Sequence, residues 1–209
     1  MWTKANNSFD YHGMNGEHDL FSISRKIGST GLVIFERDGL LLRRTGPISD
    51  LTLGDLDEEF VEMLKQLRDQ NLRFGFISDQ RGMDAESYGR SEFAALVRVL
   101  DELLSLYGVM PDFWMAWDSP PRSGTEIRHR DGQLLKPVIG MILHAVEWYG
   151  VDKKKAVFVS SSSAGILAAK QAKITGIHYS GWRNDKVTEA QRLGDTIERI
   201  LGVEHRRTA

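Results

Sequence analysis

From Gly31 onward the chain alternates short apolar runs with longer stretches of helical period, and that alternation leaves few folds open. The runs are residues 32–35 (LVIF), 74–77 (FGFI), 113–116 (FWMA), 156–159 (AVFV) and, more weakly, 177–179 (IHY). Each is too short for a helix and apolar at successive positions, so each predicts a strand covered on both faces. Between them Leu56, Phe60, Leu64 and Leu67, then Phe93, Leu96, Val97, Leu100, Leu103, Leu104 and Tyr107, recur at helical spacing. Ile142, Ala145, Val146 and Tyr149 predict a third helix over about residues 138–149, and a fourth is expected over about 164–173, behind a four-serine run. Ile197, Ile200 and Leu201 mark a closing helix. Strand, helix, strand in repetition predicts an α/β fold with a Rossmann-like, mostly parallel sheet flanked by helices and right-handed crossovers. Ligands of such sheets bind beyond the carboxyl ends of the strands, so chemistry is expected just after each apolar run.

No repeat or low-complexity linker divides residues 31–203, which read as one domain. Residues 1–30 read as a polar arm with scattered Phe9, Tyr11, Leu20, Phe21 and Ile23, and residues 204–209 as a tail. The 209 residues suffice to bury a core without staples. The absence of cysteine removes disulfides, thiolate nucleophiles and cysteine-bound zinc. With 27 Lys and Arg against 29 Asp and Glu, the net charge of −2 supplies no global basic field, so neither nucleic acid nor an anionic membrane is an expected partner. The arm carries no apolar stretch of the signal-peptide kind, and the expected compartment is the cytoplasm.

Three strand ends and one helix start carry the chemical candidates. After the first run come Glu36, Arg37, Asp38 and Gly39, a carboxylate pair one residue apart with a glycine that permits a sharp turn. Such a pair can aim nucleophile and acid/base into one pocket, although the same four residues also suit an ordinary turn. Ser78, Asp79, Gln80, Arg81 and Gly82 follow the second run, and Ser160 to Ser163 with Ala164 and Gly165 follow the fourth. Lys136 stands before Pro137, just ahead of the third expected helix. Singly these are caps and solvated surface; together they occupy the ligand-binding edge of one sheet.

Taken in order, these segments resemble the haloacid-dehalogenase-like superfamily, in the branch of heptose bisphosphate and histidinol-phosphate phosphatases. The family's F-L-D-R-D-G-T-L is matched loosely by FERDGLL at residues 35–41, and V-V-T-N-Q-S-G-I by GFISDQRGM at 75–83. R-K-P-x-P-G-M is matched by LKPVIGM at 135–141, and V-G-D-x-x-x-D-I-x-A-A by VSSSSAGILAA at 159–169. The resemblance spans about residues 31–180 and implies this fold with no separate cap domain. It implies Glu36 at the nucleophile position and Asp38 as acid/base. Ser78, Asp79, Lys136 and Ser161 are the implied phosphate-binding set, with Ser78 and Lys136 also catalytic. Glu36 and Asp38 remain for the metal. The resemblance implies a basic substrate rim from Arg81, Arg122, Arg128 and Arg130, a set that a solvated surface loop explains equally well.

Departures from the pattern bear on the chemistry. Glutamate for aspartate at position 36 moves the carboxylate by roughly 1 Å, and misplacement of that order costs about 10²-fold in rate. The two acids of the fourth motif are Ser161 and Gly165 here, and serine is a poor ligand for Mg²⁺. No zinc loop survives between Trp117 and Leu135, and His129 has no partner at ligand spacing. The favoured expectation is a degenerate phosphatase homologue, impaired or silent in catalysis, that binds a phosphorylated small molecule without Mg²⁺. Backbone N–H groups and hydroxyls of the serine run suit such an anion, and they equally suit plain helix capping. The alternatives are an active Mg²⁺-dependent phosphomonoesterase using Glu36 and Asp38, and a scaffold for an unknown protein partner.

Overall fold

The computed structural model describes residues 20–24, 31–37, 39–42, 51–79, 90–117, 135–180 and 186–203. Its six strands are β1 (Leu20–Ser24), β2 (Leu32–Glu36), β3 (Arg73–Asp79), β4 (Phe113–Trp117), β5 (Ala156–Ser160) and β6 (Thr175–His178). They form one sheet in the order β1-β4-β3-β2-β5-β6. β2 to β6 run parallel, and β1 adds antiparallel to β4 at one edge. Leu20 to Ser24, which the sequence reading places in the arm, therefore belong to the sheet. Phe21 and Ile23 alternate with Ser22 and Ser24 there, and that short pattern is legible as a strand only once β4 offers a free edge.

Among the described residues four α-helices connect strands, α1 (Glu58–Asp69), α2 (Arg90–Leu106), α3 (Leu135–Tyr149) and α4 (Ser163–Ala172), and α5 (Lys186–Leu201) follows β6. α1 starts where Asp57 accepts the amides of Glu59 and Phe60 at 3.1 Å each, with Glu58 and Glu59 in the first turn facing the helix dipole favourably. α3 begins at Leu135, three residues before the apolar period does, so Lys136 lies inside its first turn and not ahead of it. Pro137 is tolerated there because first-turn amides have no intrahelical acceptor.

Strand alternation divides the core in two. Val33, Phe35, Phe74, Phe76, Trp114, Val157 and Val159 pack with α1, α2 and α5 on one face. Leu32, Ile34, Ile77, Phe113, Met115, Ala156 and Phe158 pack with α3 and α4 on the other. Leu32 to Phe35 of the central strand are fully buried, which explains an apolar run without alternation. From β2 the chain winds outward through β3 and β4, then returns to place β5 on the opposite side, so the order reverses between β2 and β5. The crevice at that reversal is where α/β sheets bind ligands. No helix among the described residues is long and apolar enough to cross a membrane.

Candidate functional site

Glu36 ends β2 and Ser160 ends β5, on either side of that reversal. The parallel register pairs Leu32 with Ala156 and Ile34 with Phe158, so the next same-face pair along the strands is Glu36 with Ser160. Their side chains meet: Ser160 Oγ donates to Glu36 Oε2 at 2.6 Å, and the Ser161 amide donates to the same oxygen at 3.2 Å. Behind them the Ser162 amide donates to Ser160 Oγ at 3.0 Å, and the Gly165 amide to Ser162 Oγ at 3.0 Å. Ser162 is thereby the N-cap of α4, and the Ser160 hydroxyl both receives a hydrogen bond and gives its own to the carboxylate.

Two glycines make this arrangement possible. Gly39 turns the chain after β2 with φ +80, and a Cβ there would lie 3.1 Å from Ser161 Oγ. A Cβ at Gly165 would fall on the Ser160 hydroxyl and lie 2.6 Å from Ser160 Cβ. The Ser160 side chain thus fills the volume that any side chain at position 165 would need.

Of the residues expected in the site, the structure brings Glu36 and Ser161 together, but Ser161 contributes its amide to the carboxylate. Ser78 is 2% exposed near the end of β3. Alternation puts it on the face of Phe74 and Phe76, opposite that of Glu36 and Ser160. Arg37 is also 2% exposed, and its backbone holds the turn, donating to Ile77 O at 2.8 Å and accepting from Leu40 and Leu41. Asp79 ends β3 and Lys136 opens α3, with their side chains outside the described set. Asp38, Arg81, Arg122, Arg128 and Arg130 lie outside the described residues. Ser160 stands in the serine run that follows the fourth apolar run but outside the implied phosphate-binding set, and counting two residues on from Ile34 and from Phe158 singles it out once the β2–β5 register is known.

A magnesium ion, which phosphatases of this resemblance use, does not fit the described donors. The Glu36 oxygen that points across the crevice already accepts a hydroxyl and an amide, and the remaining groups of the β5 loop are hydroxyls. Among the described residues no three histidine, aspartate or glutamate side chains are grouped to hold a metal.

The fold of this chain is that of the haloacid-dehalogenase-like phosphatases. A candidate HAD-like phosphatase from Mesorhizobium loti superimposes with a TM-score of 0.69 at 18% identity, over 94% of this chain and 100% of that one. D,D-heptose 1,7-bisphosphate phosphatase from B. bronchiseptica, in complex with magnesium and phosphate, gives 0.60 at 15% identity over 81% and 98%. The corresponding enzyme from Burkholderia thailandensis gives 0.52 at 13% identity over 78% and 97%. No protein-family model matches the chain.

Proposed function

We propose that this is a haloacid-dehalogenase-fold protein that has lost Mg²⁺-dependent phosphoryl transfer and uses the crevice between β2 and β5 to bind a phosphorylated small molecule without hydrolysing it. The observation that carries the reading is the 2.6 Å hydrogen bond from Ser160 to Glu36. A carboxylate that accepts a hydroxyl and an amide is a weaker nucleophile and metal ligand, since those donors draw on its negative charge. The volume at position 165 is taken by that same serine, so no acid can stand there without rearrangement. Support for a phosphorylated ligand comes from the fold and from the ordered match to the four motifs.

The test is phosphate release from hexose phosphates and bisphosphates with Mg²⁺, alongside thermal shifts with tungstate and the same esters. Background release together with a concentration-dependent shift is the expected result. Mg²⁺-dependent release abolished by Glu36→Ala would establish the phosphomonoesterase instead. Absence of any shift would remove the ligand and leave the protein-partner reading. Restoring turnover should need Ser160→Gly and Gly165→Asp beside Glu36→Asp and Ser161→Asp, because Glu36→Asp with Ser161→Asp leaves the Ser160 side chain in the volume that residue 165 needs.

A further inference from the structure

One strand beyond the serine network, the carboxyl end of β6 opens onto a cleft of about 250 Å³ between that strand and the first turns of α5. Ile177 and Leu193 give it an apolar lining, and His178, Tyr179, Glu189 and Arg192 give it polar walls. Tyr179 is held rigidly. Its ring packs 6.1 Å from that of Phe60, its amide donates to Ser160 O at 3.0 Å, and the residue is only 8% exposed. Its phenol nevertheless has no hydrogen-bond partner among the described residues and borders the cleft. The ring is buried while the hydroxyl opens on the cleft, where a bound molecule can reach it.

The charges around it restrict what that something can be. Burial first, then the carboxylates of Asp57, Glu189 and Glu59, push the Tyr179 phenol above its ordinary pKa, so it stays a neutral hydroxyl in a negative field. Arg192 is exposed on α5 three residues after Glu189, and neither is in an ion pair among the described residues. In the cleft itself an anion alone would meet Glu189, whereas a cation alone would meet Arg192. A molecule carrying both charges satisfies each wall.

We propose that this cleft binds a small zwitterion, its ammonium group held by Glu189 and the Tyr179 hydroxyl oxygen, its acid group held by Arg192, and its methylenes laid on Ile177 and Leu193. At about 30 Å³ for each water of the liquid, the volume equals roughly eight waters, enough for an amino acid with a short chain together with a few waters. The proposal does not depend on the phosphate reading of the neighbouring crevice.

The experiment titrates the full chain with γ-aminobutyrate, and separately with butyrate and with butylamine, following amide chemical shifts. Saturable shifts confined to residues 177–180 and 189–196, with each half-molecule binding about tenfold or more weakly, are expected. Glu189→Gln and Arg192→Gln, both at accessible helix positions, should each weaken binding about tenfold without changing Tm. Tyr179→Phe should weaken it while the ring keeps its contact with Phe60. No saturable shift in the wild type, equal binding of the half-molecules, or unchanged affinity in the charge variants would overturn the proposal.

Discussion

Two buried or half-buried carboxylates stand at opposite ends of the sheet, and they are held in different ways. At the amino end Asp112, fully buried, presents Oδ2 to the Arg68 guanidinium at 3.0 Å and to the Phe74 amide at 2.9 Å. At the carboxyl end Glu36 presents Oε2 to a serine hydroxyl and to the Ser161 amide. Each oxygen thus receives one amide and one side-chain donor, a guanidinium at Asp112 and a hydroxyl at Glu36. Around Asp112, Arg68 also donates to Met110 O and stacks on Phe74, while Arg73 stacks on Tyr149, whose hydroxyl donates to Asp112 O at 3.0 Å. That end is a structural clamp joining α1, α3, β3 and the entry to β4. The Glu36 end lies at the ligand-binding edge, where serine hydroxyls line the carboxylate.

The largest effect is expected from breaking the clamp. Asp112→Ala leaves Arg68 and the Phe74 amide without their acceptor, and removal of one partner from a buried pair costs about 3 kcal/mol or more. Because the Arg68 side chain keeps 24% exposure, the lower part of that range is expected in urea denaturation. A loss of under about 1 kcal/mol would reduce the pair to the level of an ordinary surface contact and erase the contrast.

Next comes the volume shared by positions 160 and 165. Gly165→Asp alone should destabilise by about 1 to 3 kcal/mol through overpacking against Ser160. In the Ser160→Gly background the same change should cost at least about 1 kcal/mol less. Additive losses in that double-mutant cycle would show that the two positions do not compete for one space.

A smaller difference separates neighbouring serines. Ser160→Ala removes the hydroxyl from the carboxylate and should cost about 1.5 kcal/mol. Ser161→Ala keeps the amide that does the bonding and should stay within about 0.5 kcal/mol. Equal losses in thermal unfolding would place the Glu36 contact elsewhere in the loop.

The last prediction concerns pH. Burial raises the Asp112 carboxyl above its ordinary value of 3.8, against the opposing pull of Arg68, the Phe74 amide and Arg73. Its second oxygen, Oδ1, is buried without a hydrogen-bond partner, which is why desolvation outweighs the ion pair. A group whose folded pKa lies above its unfolded value contributes stability that is complete below the unfolded value and is lost as pH rises through the folded one. Wild-type protein should therefore lose stability relative to Asp112→Asn as pH climbs from about 4 through that raised value. An opposite slope in the difference between the two would show that the ion pair prevails over burial.

Much of this architecture is legible before any coordinates. Runs such as LVIF at 32–35 and AVFV at 156–159 are apolar at every position because both sheet faces are covered, and a fully covered parallel strand needs no other signal. The helices announce themselves by the period of Phe60, Leu64 and Leu67 and of Leu96, Leu100 and Leu104, which all enter one core. The strand ends then nominate Glu36 and the serine run, and both prove to flank the reversal in strand order.

Local pattern cannot decide which serine reaches the carboxylate, because Ser160 to Ser163 are chemically identical and their roles depend on the pairing of strands more than a hundred residues apart in the chain. Nor can it decide that Leu20 to Ser24 complete an edge, or that Tyr179 leaves its hydroxyl unspent beside Glu189 and Arg192. The chain alone set the order of strands and helices, since periodicity and burial on one or two faces are local properties. Tertiary structure decided register, and with it the 2.6 Å contact and the closed volume at Gly165, because side chains meet across a sheet only after long-range pairing has chosen which residues face one another.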